Sequence, residues 1–187
     1  MSQENKKGLS PALEVSLHVV LFTLLLVLDQ VTKYLARTRL MPMKKAPFIP
    51  GLLNFVYVEN TGAVWGVFKD QRTFLLIFTV LAFVCILAFY IRLARKRKYT
   101  AIRWLLVFIA AGAIGNIIDR YFLGFVTDFI NFEFIEFPVF NVADIYITVS
   151  EALLFILVLF VYKEEPNESI PETEQSMNEK KSLDRVE

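Results

Sequence analysis

Two short stretches each place one carboxylate where apolar sequence meets polar sequence: Asp128 in FVTDFIN and Asp144 in FNVADIY. An ionisable side chain at a membrane boundary is costly to place, which makes it a functional candidate by default. Two carboxylates that approach each other share a proton, one serving as acid and the other as base toward a bound water, and the titration then belongs to the pair. Asp128 is flanked by Phe125, Phe129 and Ile130, apolar neighbours that raise a carboxyl pKa. Asn141 suits an N-cap and Asp144 falls at N3, a capping-box-like helix start and a purely structural role by itself. The same helix N-terminus favours the ionised carboxylate, which makes Asp144 the natural base.

Further polar residues belong to the same level. Asp29 and Lys33 stand four apart and read either as a simple helical salt bridge or as a polar rim that positions a substrate or a catalytic residue. Asn116 and Arg120, also four apart, put a polar stripe on the end of another helix. Asp119 and Arg120 are a structural acid and base, or a guanidinium that holds a carboxylate or a substrate carbonyl. Glu151 lies two turns into the last apolar run, on the face of Asp144 and Thr148, and is expected to face the bundle interior, protonated or hydrogen-bonded.

Membrane helices must position these groups. The 187 residues are 56% hydrophobic, 14% aromatic and only 21% charged. Four apolar runs, about 12–35, 73–93, 102–118 and 143–162, approach the ~20 residues that cross a hydrocarbon layer. The expected architecture is therefore an integral membrane, mainly α protein: one four-helix domain over 11–162, preceded by a polar N-terminus (1–10) and followed by an acidic, disordered tail (163–187). Arg92, Arg95, Lys96, Arg97, Lys98 and Arg103 lie between the second and third spans with no acid among them, which places that loop, and with it both termini, in the cytoplasm. Beyond Arg120 the next charges are Asp128, Glu133, Glu136 and Asp144, and that side is expected outside.

Lys6 and Lys7 before an apolar run imitate a signal peptide, but the run ends in DQVTKY without a small-x-small site, so the first span is read as retained. Cys85 is the single cysteine and lies in the second span, which excludes an intrachain disulfide and disfavours a catalytic thiol. The lone His18 reads as a tolerated residue near the inner helix end; one His and one Cys do not build a zinc site. Between the first two spans, Phe55, Tyr57 and Glu59 alternate with Val56, Val58 and Asn60, and the reading is a strand pair turning at Asn60-Thr61-Gly62, a small cradle over 48–68 on the external surface. Trp65, Phe68 and Phe74 fit an interfacial aromatic belt. In the third span AAGAIGN sets Ala111 four from Gly115 and Gly112 four from Asn116, small residues that let helices approach closely.

DQVTK (29–33), ENTGAVWG (59–66), GNIIDR (115–120), GFVTDFI (124–130) and FNVAD (140–144) resemble, in order and spacing, the motifs of the lipoprotein signal peptidases, or signal peptidase II. The resemblance implies a bacterial cytoplasmic-membrane aspartic endopeptidase with four transmembrane helices and an extracytoplasmic β-cradle. Such an enzyme needs no cofactor and cuts a prolipoprotein just before its diacylglyceryl cysteine. It further implies Asp128 and Asp144 as the dyad, Asn60, Gly62, Asn116, Arg120 and Asn141 around the substrate, and Asp29, Lys33 and Asp119 in support. Inhibition by globomycin-type compounds, contact with membrane lipid, no nucleic-acid partner and function as a monomer are implied too. The chain departs from the family pattern in its acidic tail and in Glu151, where small residues are usual. Two competing readings are a non-enzymatic four-helix scaffold or transporter subunit, and a carboxylate site for Mg²⁺ or Ca²⁺.

Overall fold

A computed structural model of the chain describes residues 10–63, 67–94 and 96–162. Trp65, Gly66, Arg95, the N-terminal residues before Ser10 and the acidic tail from Lys163 lie outside the described residues, as does the side chain of Arg97. The chain divides into two compact units, Met1–Leu154 and Phe155–Glu187. In the second, the described residues are helical through Val161, with wide turns over Leu157–Val161.

Among the described residues, four helical stretches are long and apolar enough to cross a membrane: Pro11–Met43, Arg72–Leu93, Thr100–Phe122 and Val142–Val161. The first comprises α1 (Pro11–Leu35), wide turns over Ala36–Leu40 and a single short turn α2 (Met41–Met43). The others are α3 (Arg72–Leu93), α4 (Thr100–Phe122) and, at the start of the last stretch, α5 (Val142–Ile156). Ser10 caps α1 by accepting from the Leu13 N–H at 3.3 Å, with Pro11 at the first helical position where its missing N–H costs nothing.

One helix differs from the rest. In α4, 56% of the most apolar stretch is buried, against 6–11% in the other three. The central position follows from its small residues. A Cβ on Gly112 would stand 2.6 Å from the Ala143 carbonyl oxygen of α5, and one on Gly115 would collide with the Asp29 carboxylate of α1. Helices α1 and α3 present rows of exposed apolar residues outward, including Leu24, Val27, Ile77 and Leu81. Such a surface is untenable in water and suited to hydrocarbon, where helices satisfy their own backbone.

The third helix begins earlier than the sequence suggests and takes Arg103 out of the basic loop. Arg103 is buried in α4, donating to Glu14 Oε1 of α1 at 2.6 Å, to the Ala94 carbonyl at 2.6 Å and to Thr100 Oγ1 at 2.9 Å. Next to this pair His18 is buried rather than merely tolerated. Its Nδ1 lies 2.7 Å from the Tyr90 hydroxyl, and its ring meets Trp104 edge-on. Glu14 with Arg103 and His18 with Tyr90 are thus paired across helices, while His18 Nε2 and Arg103 Nε keep no partner.

A three-stranded antiparallel sheet sits on the polar end of α1: β1 (Lys45–Ile49), β2 (Leu53–Asn60) and β3 (Val126–Phe132), in the order β1-β2-β3. The expected strand pair is real, but its turn is not at Asn60-Thr61-Gly62. The chain reverses at Pro50-Gly51-Leu52, where Gly51 has φ +74° and Leu52 N–H donates to Ile49 O at 3.0 Å. The Asn-Thr-Gly segment instead ends β2. The second neighbour of β2 comes from residues 126–132, read from sequence as a helix boundary, so Asp128 lies on a strand. Ala36, Leu40, Phe129 and Ile130 form the buried core joining sheet to helix, with Phe55, Tyr57 and Phe140 against it.

Candidate active site

Four elements converge on Asp128 and Asp144. Helix α4 passes into β3 through a short turn at Gly124, whose φ of +93° allows both Leu123 and Gly124 N–H to return to the Asp119 carbonyl, at 2.8 and 3.3 Å. Arg72, at the start of α3, closes the same end by donating to the Arg120 and Tyr121 carbonyls at 2.8 and 2.6 Å. The polar end of α4 and the strand carrying Asp128 are thereby fixed to each other. Past β3, the chain folds back so that Phe140 exchanges backbone hydrogen bonds with Ile130, which brings Asn141 and the start of α5 beside the strand.

Asp128 is 2% exposed and both of its oxygens accept from side-chain amides: Oδ1 from Asn141 at 2.7 Å and Oδ2 from Asn60 at 2.8 Å. Asn60 pairs with Val126 across the sheet, so it reaches Asp128 along the diagonal that long side chains can span. A register shift between Phe55 and Val58 lies just before this point, where bulges commonly re-aim side chains. Asn60 is itself held by the Gly62 N–H, which donates to Asn60 Oδ1 at 2.9 Å. Burial raises the Asp128 carboxyl pKa to about 7, with the charge of Asp144 adding to the rise and the two amides opposing it.

Asp144 forms the capping box that its spacing implies. Its N–H donates to Asn141 Oδ1 at 3.1 Å while its Oδ2 accepts from the Asn141 N–H at 3.0 Å. Its other oxygen accepts from Asn116 Nδ2 at 2.9 Å. Structural and chemical readings of Asp144 therefore coexist. Asn116 in turn accepts from Lys33 Nζ at 2.8 Å and from Asn141 Nδ2 at 3.3 Å. One asparagine, Asn141, thus contacts both carboxylates and the amide that supports one of them.

The Asp29–Lys33 pair is not a rim. Both side chains are fully buried against α4, with Nζ 3.0 Å from Asp29 Oδ2 and 3.9 Å from Asp119 Oδ2. Asp29 Oδ1 accepts from the Ala143 N–H of α5 at 3.1 Å, a second anion at that helix N-terminus. Asp119 accepts from the Thr127 N–H at 2.9 Å, immediately before Asp128 in the chain. Arg120 is half-buried and donates to the Gly62 carbonyl at 3.5 Å.

Three contributors escaped the sequence reading. Arg37 Nη1 donates to Thr127 Oγ1 at 2.9 Å and lies 3.5 Å from Asp119 Oδ1, so it clamps the strand start. Thr127 is fully buried beneath it. Gln30 donates to Asp29 Oδ2 at 3.0 Å and to the Gly115 carbonyl at 3.2 Å. The signal for Arg37 was its place four residues beyond Lys33, which is itself four beyond Asp29.

The carboxylates open onto a cavity of about 520 Å³, lined by Asn116, Arg120, Asp128 and Asp144 and otherwise mostly by apolar residues such as Val139 and Ile147. Glu151 faces this cavity rather than the bundle interior, exposed and without a hydrogen bond or ion pair among the described residues.

Fold and site together define a polytopic membrane protein with two amide-bound carboxylates, one buried and one half-buried, at a cavity near one end of its helices. Residues 21–160 match the family described as signal peptidase (SPase) II, and the chain belongs to that family. It is similar to the lipoprotein signal peptidase of Caldanaerobacter subterraneus subsp. tengcongensis, 41% identical over 76% of this chain and 95% of that protein. The lipoprotein signal peptidase of Enterococcus faecalis is 36% identical over 76% of this chain and 87% of that protein. A solved bacterial membrane enzyme, determined by the in meso method at 2.3 Å, superimposes with a TM-score of 0.72 at 30% identity, over 83% of this chain and 95% of that one.

Proposed function

We propose that the chain removes the signal peptide of a diacylglyceryl-modified prolipoprotein, hydrolysing the peptide bond just before the lipidated cysteine, with Asp128 and Asp144 as an aspartic dyad. The observation that carries this reading is the bridge through Asn141, whose side-chain amide donates to Asp128 and whose backbone N–H donates to the Asp144 carboxylate, at the wall of a single cavity. The raised pKa of Asp128 supports it as the proton holder, and the α5 N-terminus supports Asp144 as the ionised base.

Asp144 takes a proton from water as the water oxygen bonds to the scissile carbonyl carbon, and Asp128 gives its proton to the carbonyl oxygen. The resulting gem-diol collapses as the C–N bond breaks. Asp144 returns its proton to the leaving amine, and Asp128 recovers one from a diol hydroxyl. Arg120 and Asn60 border the position of the tetrahedral oxygen atoms and hold the substrate backbone. Asn116 and Asn141 fix the dyad, and Asp29, Lys33 and Asp119 support it from behind.

The dyad end of the bundle faces outside the cytoplasmic membrane and the termini lie inside, in keeping with Arg92, Lys96 and Lys98 around the opposite connection. Lipid chains of the substrate then remain in the bilayer while the cut bond enters the cavity, which a globomycin-type inhibitor also fills. One chain contains every group the reaction uses.

The test is digestion of a diacylglyceryl prolipoprotein by the purified protein in detergent, with mass analysis of both products. Release of a free signal peptide and a lipidated-cysteine N-terminus is expected, unaffected by a chelator, because the dyad itself supplies both proton-transfer roles. Absence of cleavage, or cleavage elsewhere, contradicts the proposal.

A further inference from the structure

Residues 30–58 hold five cations, Lys33, Arg37, Arg39, Lys44 and Lys45, and not one acid. Three of the five are neutralised inside the fold. Lys33 meets Asp29 at 3.0 Å, Arg37 lies 3.5 Å from Asp119, and Lys45 reaches Glu133 at 2.8 Å. The side chains of Arg39 and Lys44 are exposed and have no hydrogen bond or ion pair among the described residues. Lys44 also has a φ of +62°, a conformation that glycine adopts freely and lysine does not. A cation is thus kept where the backbone favours a residue with no side chain.

Depth identifies what these two cations face. The 25 residues of α1 rise about 37 Å, more than the ~30 Å of a hydrocarbon layer, so the wide turns after it and α2 stand among lipid headgroups. Ala36 and Leu40 turn inward to the core beneath the sheet. Other apolar side chains of the same stretch turn outward: Met41 is 51% exposed, and Met43 and Phe48 are 60% exposed. Long apolar side chains that seat among acyl chains, with basic groups held at the level of the phosphates, are what binds an interfacial segment to an anionic membrane.

We propose that Arg39 and Lys44 bind the phosphate of an anionic phospholipid at the dyad end of the bundle, with Met41, Met43 and Phe48 seated among its acyl chains. None of these residues lines the reaction cavity, and the proposal does not depend on the peptidase reading. A zwitterionic lipid offers the same phosphate, but its ammonium group repels the two cations, so net charge selects the ligand. The bound lipid fixes the junction between α1 and β1, and with it the sheet, to the membrane surface.

The experiment reconstitutes the full chain carrying Phe48→Trp into phosphatidylcholine vesicles and measures quenching of the added tryptophan by brominated lipid, after subtracting the emission of the chain that keeps Phe48. Brominated phosphatidylglycerol and brominated phosphatidylcholine of equal chain length are compared, and the readout is the ratio of their association constants. With Arg39 and Lys44 intact the ratio is expected to favour the anionic lipid, to fall about fivefold in Arg39→Gln, and to approach one when Lys44→Gln is added. Arg39→Lys with Lys44→Arg should keep it, and so should Lys96→Gln with Lys98→Gln at the opposite end of the bundle. Added salt should lower it by screening the charges. A ratio near one with both cations intact, an equal fall in the Lys96 and Lys98 control, or a charge-preserving variant as impaired as Arg39→Gln overturns the proposal. Quenching of the same tryptophan by aqueous iodide rather than by either lipid would put the face in water or against another macromolecule, and overturns it too.

Discussion

Asn141 Nδ2 lies 2.7 Å from Asp128 Oδ1, so the residue that caps α5 against Asp144 also holds the other carboxylate of the pair. The cap of a helix has become the hinge pin of the site: a single side chain fixes the strand carrying Asp128 to the helix carrying Asp144. Asn141→Ala is expected to cost both the cap, about 1 kcal/mol of stability, and the alignment of the pair. Kinetically this appears as a fall in kcat larger than the change in KM, measured with the protein at matched folding in detergent. A variant with wild-type kcat would contradict this role.

The pH dependence carries a definite sign. With its pKa raised to about 7, Asp128 is protonated below neutrality and loses its proton above it, so kcat should decline as pH rises through about 7. The hydrogen bond from Asn60 favours the ionised form. Asn60→Ala should therefore move this alkaline limb upward, and a limb that moves down or stays in place would refute the assignment. The same shift links to folding. Because the folded carboxyl binds its proton more tightly than the unfolded one, the stability it contributes is present below the ordinary carboxylate pKa of 3.8 and fades as pH rises toward about 7.

Gly115 faces the Asp29 carboxylate with no room for a methyl group. Gly115→Ala should displace α1 from α4 and cost about 1–3 kcal/mol, seen as a lower thermal midpoint in detergent. Gly51→Ala is the control for space, since nothing lies within 4 Å of a Cβ there, and its cost comes from the φ of +74° alone. Equal stability of Gly115→Ala and wild type would mean that the helices are not packed this closely.

Lys33 has Asp29, Asn116 and Asp119 around one buried ammonium. Removing it with Lys33→Met leaves Asp29 without its cation and is expected to cost about 3–5 kcal/mol. The paired change Asp29→Leu with Lys33→Met should cost less than the sum of the single changes, because the double variant leaves neither member of the ion pair stranded. Additive losses in chemical unfolding would show that the two residues do not interact.

Arg37 touches neither carboxylate, yet its guanidinium bridges Thr127 and Asp119 one residue before Asp128. Arg37→Gln should lower kcat about tenfold with little effect on KM, as expected where a positioning contact is lost, and Arg37→Lys should recover part of the loss. A change confined to KM would assign Arg37 to substrate contact instead.

The membrane helices were legible in the sequence because hydrocarbon imposes one simple rule, a run of apolar residues near 20 long. The capping box around Asn141 and Asp144 was legible because it is local. What escaped was non-local or ambiguous. β2 finds a partner more than sixty residues away in β3, and no periodicity within either strand announces that pairing. The turn was placed at Asn60-Thr61-Gly62 because Asn and Gly are turn residues, but there Asn60 serves to hold Asp128 and the reversal falls at Gly51. Arg103 counted as loop charge until Glu14, from a different helix, appeared beside it. Lys33 was legible as a partner of Asp29, but its burial behind Asn116 depends on the close approach that Gly115 allows.

The most direct test of the dyad is single-turnover cleavage of a diacylglyceryl prolipoprotein by wild type, Asp128→Asn and Asp144→Asn, with substrate binding measured on the same samples. The account requires that both variants fold and bind, and that each cuts about 10²–10⁴-fold more slowly than wild type. Undiminished cutting by either variant would contradict it.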